Sequence, residues 1–148
     1  MPTSLGSLRT LFSETAPPAS LPEPGDYLVT YVGPAPLRVV APRAIALGGM
    51  PHWRGKRFGP AGDAVNLVAD DAVDGALREV MPMQVTLEAS WRDGRPAIVC
   101  SYGQGGPVPW RWVRDEFRAL DDRRLLGLTF AGGRWSAPLA APLLLTRA

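Results

Sequence analysis

The chain has 148 residues, 46% hydrophobic and 20% charged, which suits one packed domain and excludes a disordered tail. Its 16 basic residues are matched by 14 acidic ones, the net charge is +2 and no basic stripe appears, so nucleic-acid binding is not expected. A single cysteine, Cys100, and a single histidine, His52, leave no disulfide framework within the chain and no His or multi-Cys metal centre.

Lys56 is the only lysine, an arginine bias expected of a GC-rich bacterial genome. The opening residues lack the charged-then-apolar pattern of a secretory signal, and no apolar run is long enough to span a bilayer. A cytoplasmic protein is expected.

In chain order, residues 4–14 read as a short amphipathic helix, with Leu5, Leu8, Leu11 and Phe12 at helical spacing behind a Ser4 cap. Four prolines between Ala16 and Pro24 make the next stretch an extended connector. Residues 1–24 are therefore set apart from a main domain at 25–148, with the helix outside it or across one end. Gly25 to Gly33 reads as a first strand. Residues 36–47 read as a helix with Leu37, Val40, Ala41, Ala44 and Ile45 on one face, kinked or split at Pro42.

The remainder reads as β: strands at 53–59, 64–69, 76–81, 83–92, 95–102, 111–120, 124–131 and 137–146. Turn signals separate them, among them Asp70-Asp71, Asp93-Gly94, Asp121-Asp122 and Gly132-Gly133. The cleanest alternation sets Met83, Val85, Leu87, Ala89 and Trp91 against Gln84, Thr86, Glu88, Ser90 and Arg92. About nine short-linked strands in one small domain form a meander that closes into a barrel or folds into a sandwich.

Two segments carry a resemblance. His52-Trp53-Arg54-Gly55-Lys56-Arg57-Phe58 is similar to the W-x-G-K-x-F segment of bacterial domains of unknown function named for a GxWxG motif. The run from Asp115 to Gly127 is similar to the D-x-F-R-x-x-D-D-x-x-x-L-G pattern of their C-terminal partner domain. The likeness covers about residues 25–130 and departs at Gly25-Asp26-Tyr27-Leu28-Val29, where Tyr27 stands for the tryptophan and the second glycine is missing. It implies a lipocalin-like barrel and no agreed activity. The expected fold is thus mainly β: a small antiparallel up-and-down (lipocalin/calycin-like) barrel, a short N-terminal helix and one helix after the first strand.

Strand alternation places Asp115 inside, with Val113, Phe117 and Ala119, and Arg114, Glu116 and Arg118 on the other face. A buried carboxylate suits a general acid or base or a polar anchor, and equally a structural ion pair. If Glu79 faces inward with Leu77 and Met81, it can join Asp115 in a two-carboxylate site. Trp53, Met83, Tyr102, Trp110, Trp112 and Phe117 are candidate ligand contacts or ordinary core, and Lys56 is the candidate interior cation among Arg54, Lys56 and Arg57. Cys100 reads as a small core residue, and His52 as a rim residue rather than a haem ligand.

These residues lead to a barrel that binds a small, largely apolar molecule with Asp115 as its interior anchor. The competing reading is a cofactor-independent cyclase or isomerase, acting on a polyketide- or terpenoid-like substrate by acid/base catalysis from Asp115. No cofactor, metal, nucleic acid or membrane span is expected, and the partner is a small hydrophobic molecule, held by a monomer or a homodimer. Trp110 and Trp112 could instead form an exposed interaction patch.

Overall fold

The computed structural model describes residues 1–70 and 72–148. Eight antiparallel strands close into an up-and-down barrel in sequence order, β1 pairing with β8. They are β1 (Gly25–Thr30), β2 (Trp53–Phe58), β3 (Asp63–Ala69), β4 (Leu77–Ala89), β5 (Pro96–Ser101), β6 (Val113–Ala119), β7 (Arg124–Ala131) and β8 (Ala141–Arg147). Helix α1 (Leu5–Glu14) precedes them, α2 (Ala35–Leu47) links β1 to β2, and short 3-10 turns occupy Trp110–Trp112 and Arg134–Leu139. The mainly β, lipocalin-like architecture is the expected one.

The strand count is eight rather than nine because 76–81 and 83–92 are one long strand. Pro82 lies beside a bulge, the kind of place where a strand tolerates proline. The pairing of β3 with β4 slips between Ala64 and Asn66, and Met81 adopts φ 50°. Past that slip the inward series passes from Met83 to Val80, which packs against the interior. Glu79 consequently faces outward, about half exposed and bound to Arg57 at 2.7 Å. The expected Glu79–Asp115 pair does not form, because a bulge shifts side-chain facing by one residue.

The helices also differ from expectation. Helix α2 runs unbroken through Pro42, and none of its residues is fully buried. Residues 111–112 and 137–139, expected as the starts of strands, belong instead to the 3-10 turns 110–112 and 134–139. Of the Asp70-Asp71 turn, Asp71 lies outside the described residues.

The molecule has two cores. One fills the barrel, with Tyr27, Phe58, Ile98, Phe117, Leu125 and Leu145 among its members. Gly127 makes room for the Phe117 ring: a Cβ there would sit 2.5 Å from the Phe117 edge. The other core lies outside the barrel wall, where α1 covers Leu126, Leu128, Phe130 and Leu144 with Leu8 and Phe12, both wholly buried. Beneath that cover Arg118 is buried, grips Asp93 with two nitrogens (2.6 and 2.8 Å) and donates to the Phe12 carbonyl at 3.0 Å. Glu116, also buried, accepts from the Trp91 N–H at 2.8 Å. These outward residues of β6 are therefore internal to the molecule, and α1 is part of the same packed body.

The two barrel ends are unlike. At one end the strands are joined by short turns at 59–62, 90–95 and 120–123. The other end carries the longer connections: 31–52 with α2, 70–76, 102–112 and 132–140.

Candidate functional site

The two segments singled out in the sequence meet inside the barrel. Within β2, Trp53, Lys56 and Phe58 point inward because the strand is bulged between Trp53 and Gly55. Gly55 has φ 151°, and a Cβ there would lie 2.0 Å from the Tyr27 carbonyl oxygen, so only glycine fits this crossing. Asp115 projects inward from β6 as the alternation predicts, opposite Thr129 of β7 and Cys100 of β5.

Lys56 Nζ lies 2.9 Å from Asp115 Oδ2, with both side chains almost fully enclosed (1% and 8% exposed). The other ammonium protons go to Asn66 Oδ1 at 3.2 Å and Met83 Sδ at 3.5 Å. Asp115 Oδ1 accepts from the Thr129 hydroxyl at 2.8 Å. Asn66 joins the site to its walls: its Oδ1 accepts from the Trp53 indole at 3.0 Å, and its Nδ2 donates to the Tyr102 hydroxyl at 2.7 Å. Every buried side-chain polar atom among the described residues has a partner. The Tyr102 oxygen is satisfied as an acceptor, and its own O–H has no acceptor among the described residues.

The electrostatics follow from this geometry. Burial works against the Lys56 ammonium, but the Asp115 carboxylate, helped by Tyr102 and Cys100, outweighs it and shifts the lysine upward. Burial pushes the Cys100 thiol up to about 12 and raises the Tyr102 phenol, in each case against an opposing pull from Lys56. The thiol is thus a core group and the phenol a neutral donor.

Beside the pair is a cavity of about 50 Å³, lined by Trp53, Lys56, Tyr102, Trp110 and Asp115 together with Ile45, Met50, Asn66, Val113, Thr129 and Leu143. Ile45 and Met50 come from α2 and the segment after it, so the cavity lies at the end with long connections. Its cover is latched there: the Trp110 indole donates to the Gly48 carbonyl at 2.7 Å. A Cβ on Gly48 would lie 2.8 Å from the Trp110 ring, so the ring seats only over a glycine.

The candidate residues therefore divide. Trp53, Lys56, Tyr102, Trp110 and Asp115 line the cavity, and Met83 supports Lys56 from the barrel interior. Phe117 belongs to the core and does not line the cavity. Trp112 is 56% exposed on the outer surface, and Glu79 is outside. His52 is exposed at the start of β2. Asn66 and Thr129 went unremarked in the sequence. Asn66 was findable as a lone polar residue at an inward position between Ala64 and Val68. Thr129 is visible only once β6 and β7 are in register.

Among the described residues, no three His, Cys, Asp or Glu side chains converge as a metal site would require, and no helix is long and apolar enough to cross a membrane. No protein-family model matches the chain, and no curated protein matches it. Among solved structures it is similar to the crystal structure of a protein from Thermomonospora curvata, with a TM-score of 0.66 and 20% identity over 98% of this chain and 88% of that one. At that identity the likeness carries the fold: a closed barrel of a kind capable of holding a ligand.

Proposed function

We propose that the barrel binds a small, largely apolar molecule whose oxygen-bearing end rests against Asp115, Lys56 and Tyr102. The observation that carries this reading is the Lys56–Asp115 pair at the wall of a mostly apolar cavity. A mostly apolar enclosure with a few convergent polar groups is the usual make-up of a small-molecule site. The Tyr102 O–H offers a donor to a carbonyl, ether or hydroxyl oxygen, and Asp115 has lone pairs left for a hydroxyl.

The cavity, about 50 Å³, has room for a few waters, whereas ligand pockets run from about 300 Å³ upward. Uptake therefore requires the cover to move. Helix α2 is suited to that, having no fully buried residue and the Trp110–Gly48 bond as its latch. Native mass spectrometry of the purified protein, followed by extraction, tests the reading. A co-purifying small molecule that is absent from Asp115→Ala is expected. An empty protein that takes up no member of a panel of apolar probes overturns it.

One observation favours a second reading, the cofactor-independent cyclase or isomerase. A carboxylate paired with an ammonium acts as a base, and a neutral phenol in the same cavity can donate to an oxygen that gains charge. Asp115 would then take a proton from the carbon next to a carbonyl whose oxygen is held by Tyr102 and return it to a second carbon, leaving the carboxylate as it began. Asp115→Asn separates the readings: the enzyme loses product formation and keeps its substrate affinity, while a pure binder forms no product in either form. The resemblance to GxWxG-type domains stays a proposal; Lys56 and Asp115, one from each of the two segments that carry it, meet in this site. A bacterial, cytoplasmic setting rests on composition.

A further inference from the structure

Isolated exposed apolar side chains are ordinary on any soluble domain. Here they gather at the mouth end of the barrel. Val39, Val40 and Leu47 stand out on α2, Trp112 on the 110–112 turn, and Trp135 and Leu139 on the 134–139 turn. Leu47 is 91% and Trp135 75% exposed, so these side chains stand clear of the body rather than resting on it. The three connections are tied in a row, Trp110 to Gly48 by the indole bond and the Gly132 N–H to the Trp112 carbonyl at 3.0 Å.

Three of the mouth connections are also purely basic. Connections 31–52, 102–112 and 132–140 contain Arg38, Arg43, Arg111 and Arg134 and no aspartate or glutamate. All four arginines are exposed, and none forms an ion pair among the described residues. The other end is mixed in charge: Asp26, Asp63, Asp93, Asp121 and Asp122 lie there at strand starts and in the short turns, and Asp26, Asp93 and Asp121 are ion-paired to Arg57, Arg95, Arg118 and Arg124. The fourth connection at the mouth, 70–76, is acidic in sequence, so the cationic face is a crescent over three connections and not a full ring.

We infer that this crescent docks on an anionic lipid surface. Tryptophan and leucine beside arginine is the composition that seats at headgroup level, the rings and aliphatic chains entering the interface while the guanidinium groups meet phosphate. A second copy of the chain would set arginine against arginine across a two-fold contact. The crescent also contains the cover of the cavity, so an apolar molecule dissolved in the lipid would meet the mouth directly. The inference stands apart from the cavity reading, because vesicle binding reads the rim alone and either can fail without the other.

The experiment is co-sedimentation of the full chain with vesicles of phosphatidylcholine alone and of phosphatidylcholine containing phosphatidylglycerol, at low and high salt. Binding to the anionic vesicles that weakens with salt is expected. The double variant Arg38→Gln/Arg134→Gln should lower affinity about fivefold per arginine, the factor set by about 1 kcal/mol for each basic residue at such a surface. Trp135→Ser should also weaken binding, whereas Arg92→Gln/Arg123→Gln, away from the crescent, should not. All these side chains are exposed or half-exposed, so the fold is not at stake. Absence of binding to either vesicle overturns the proposal, as does equal loss in the two arginine pairs. A lipid-free dimer abolished by Trp135→Ser would overturn it too, assigning the face to a second copy.

Discussion

Lys56 gives its three ammonium protons to protein partners inside the barrel, and that completeness makes the pair costly to break and inexpensive to replace. Lys56→Met alone leaves a buried carboxylate without its cation, and Asp115→Leu alone leaves the ammonium without its anion. Each is expected to lower unfolding free energy by about 3–5 kcal/mol in a urea titration, while the double variant should lose little or none. Alkali acts on the same residues. In the unfolded chain the Cys100 thiol ionises near about 8.5 and the Tyr102 phenol near about 10. Both are raised in the fold, the thiol to about 12. A raised folded value favours the fold below the unfolded value, and that advantage is lost as pH climbs. Stability should therefore hold through neutral pH and decline from about pH 8.5 upward. The Lys56 contribution, also raised, should persist below the unfolded lysine value of about 10.4 and go last. A urea midpoint unchanged across this alkaline window would contradict the buried placement of these groups.

At the scale of elements, the two helices have opposite tasks. Helix α1 covers a core, and Phe12→Ala is expected to cost about 3–5 kcal/mol while leaving a single cooperative transition. Separate melting of residues 1–24 would show that the helix is an appendage after all. Helix α2 covers a cavity. Gly48 sits at φ −76°, where any residue is comfortable, so Gly48→Ala tests space alone: its Cβ displaces Trp110 and breaks the latch. Faster uptake of an apolar fluorescent probe is expected in stopped flow, and an unchanged rate would place the entrance elsewhere. Much of this was legible in the sequence: the β-rich meander, the cap at Ser4 and the inward facing of Asp115 all follow from period and turn chemistry. The facing of Glu79 is not legible, because a bulge leaves no mark in the alternation except Pro82 next to it. The burial of Glu116 and Arg118 could not be read from β6 itself. It depends on α1, more than a hundred residues away in sequence, folding back over the wall.

For the whole molecule, barrel closure brings two distant segments to one point. Lys56 and Asp115 are in non-adjacent strands, and only the interior of a closed barrel lets them touch. The sequence could nominate each residue but could not pair them, since pairing across a barrel depends on strand count and stagger. Nor could it say which end opens; the long connections, the latch and the cavity all lie together at one. The most direct test of the central claim is ligand capture by Lys56→Met/Asp115→Leu, the variant that removes the charges and keeps the fold. We expect this protein to unfold close to the urea midpoint of the parent, yet to purify without the small molecule and to take up apolar, oxygen-bearing probes poorly. If it binds them as the parent does, the pair is a structural fastening and the cavity is not the binding site.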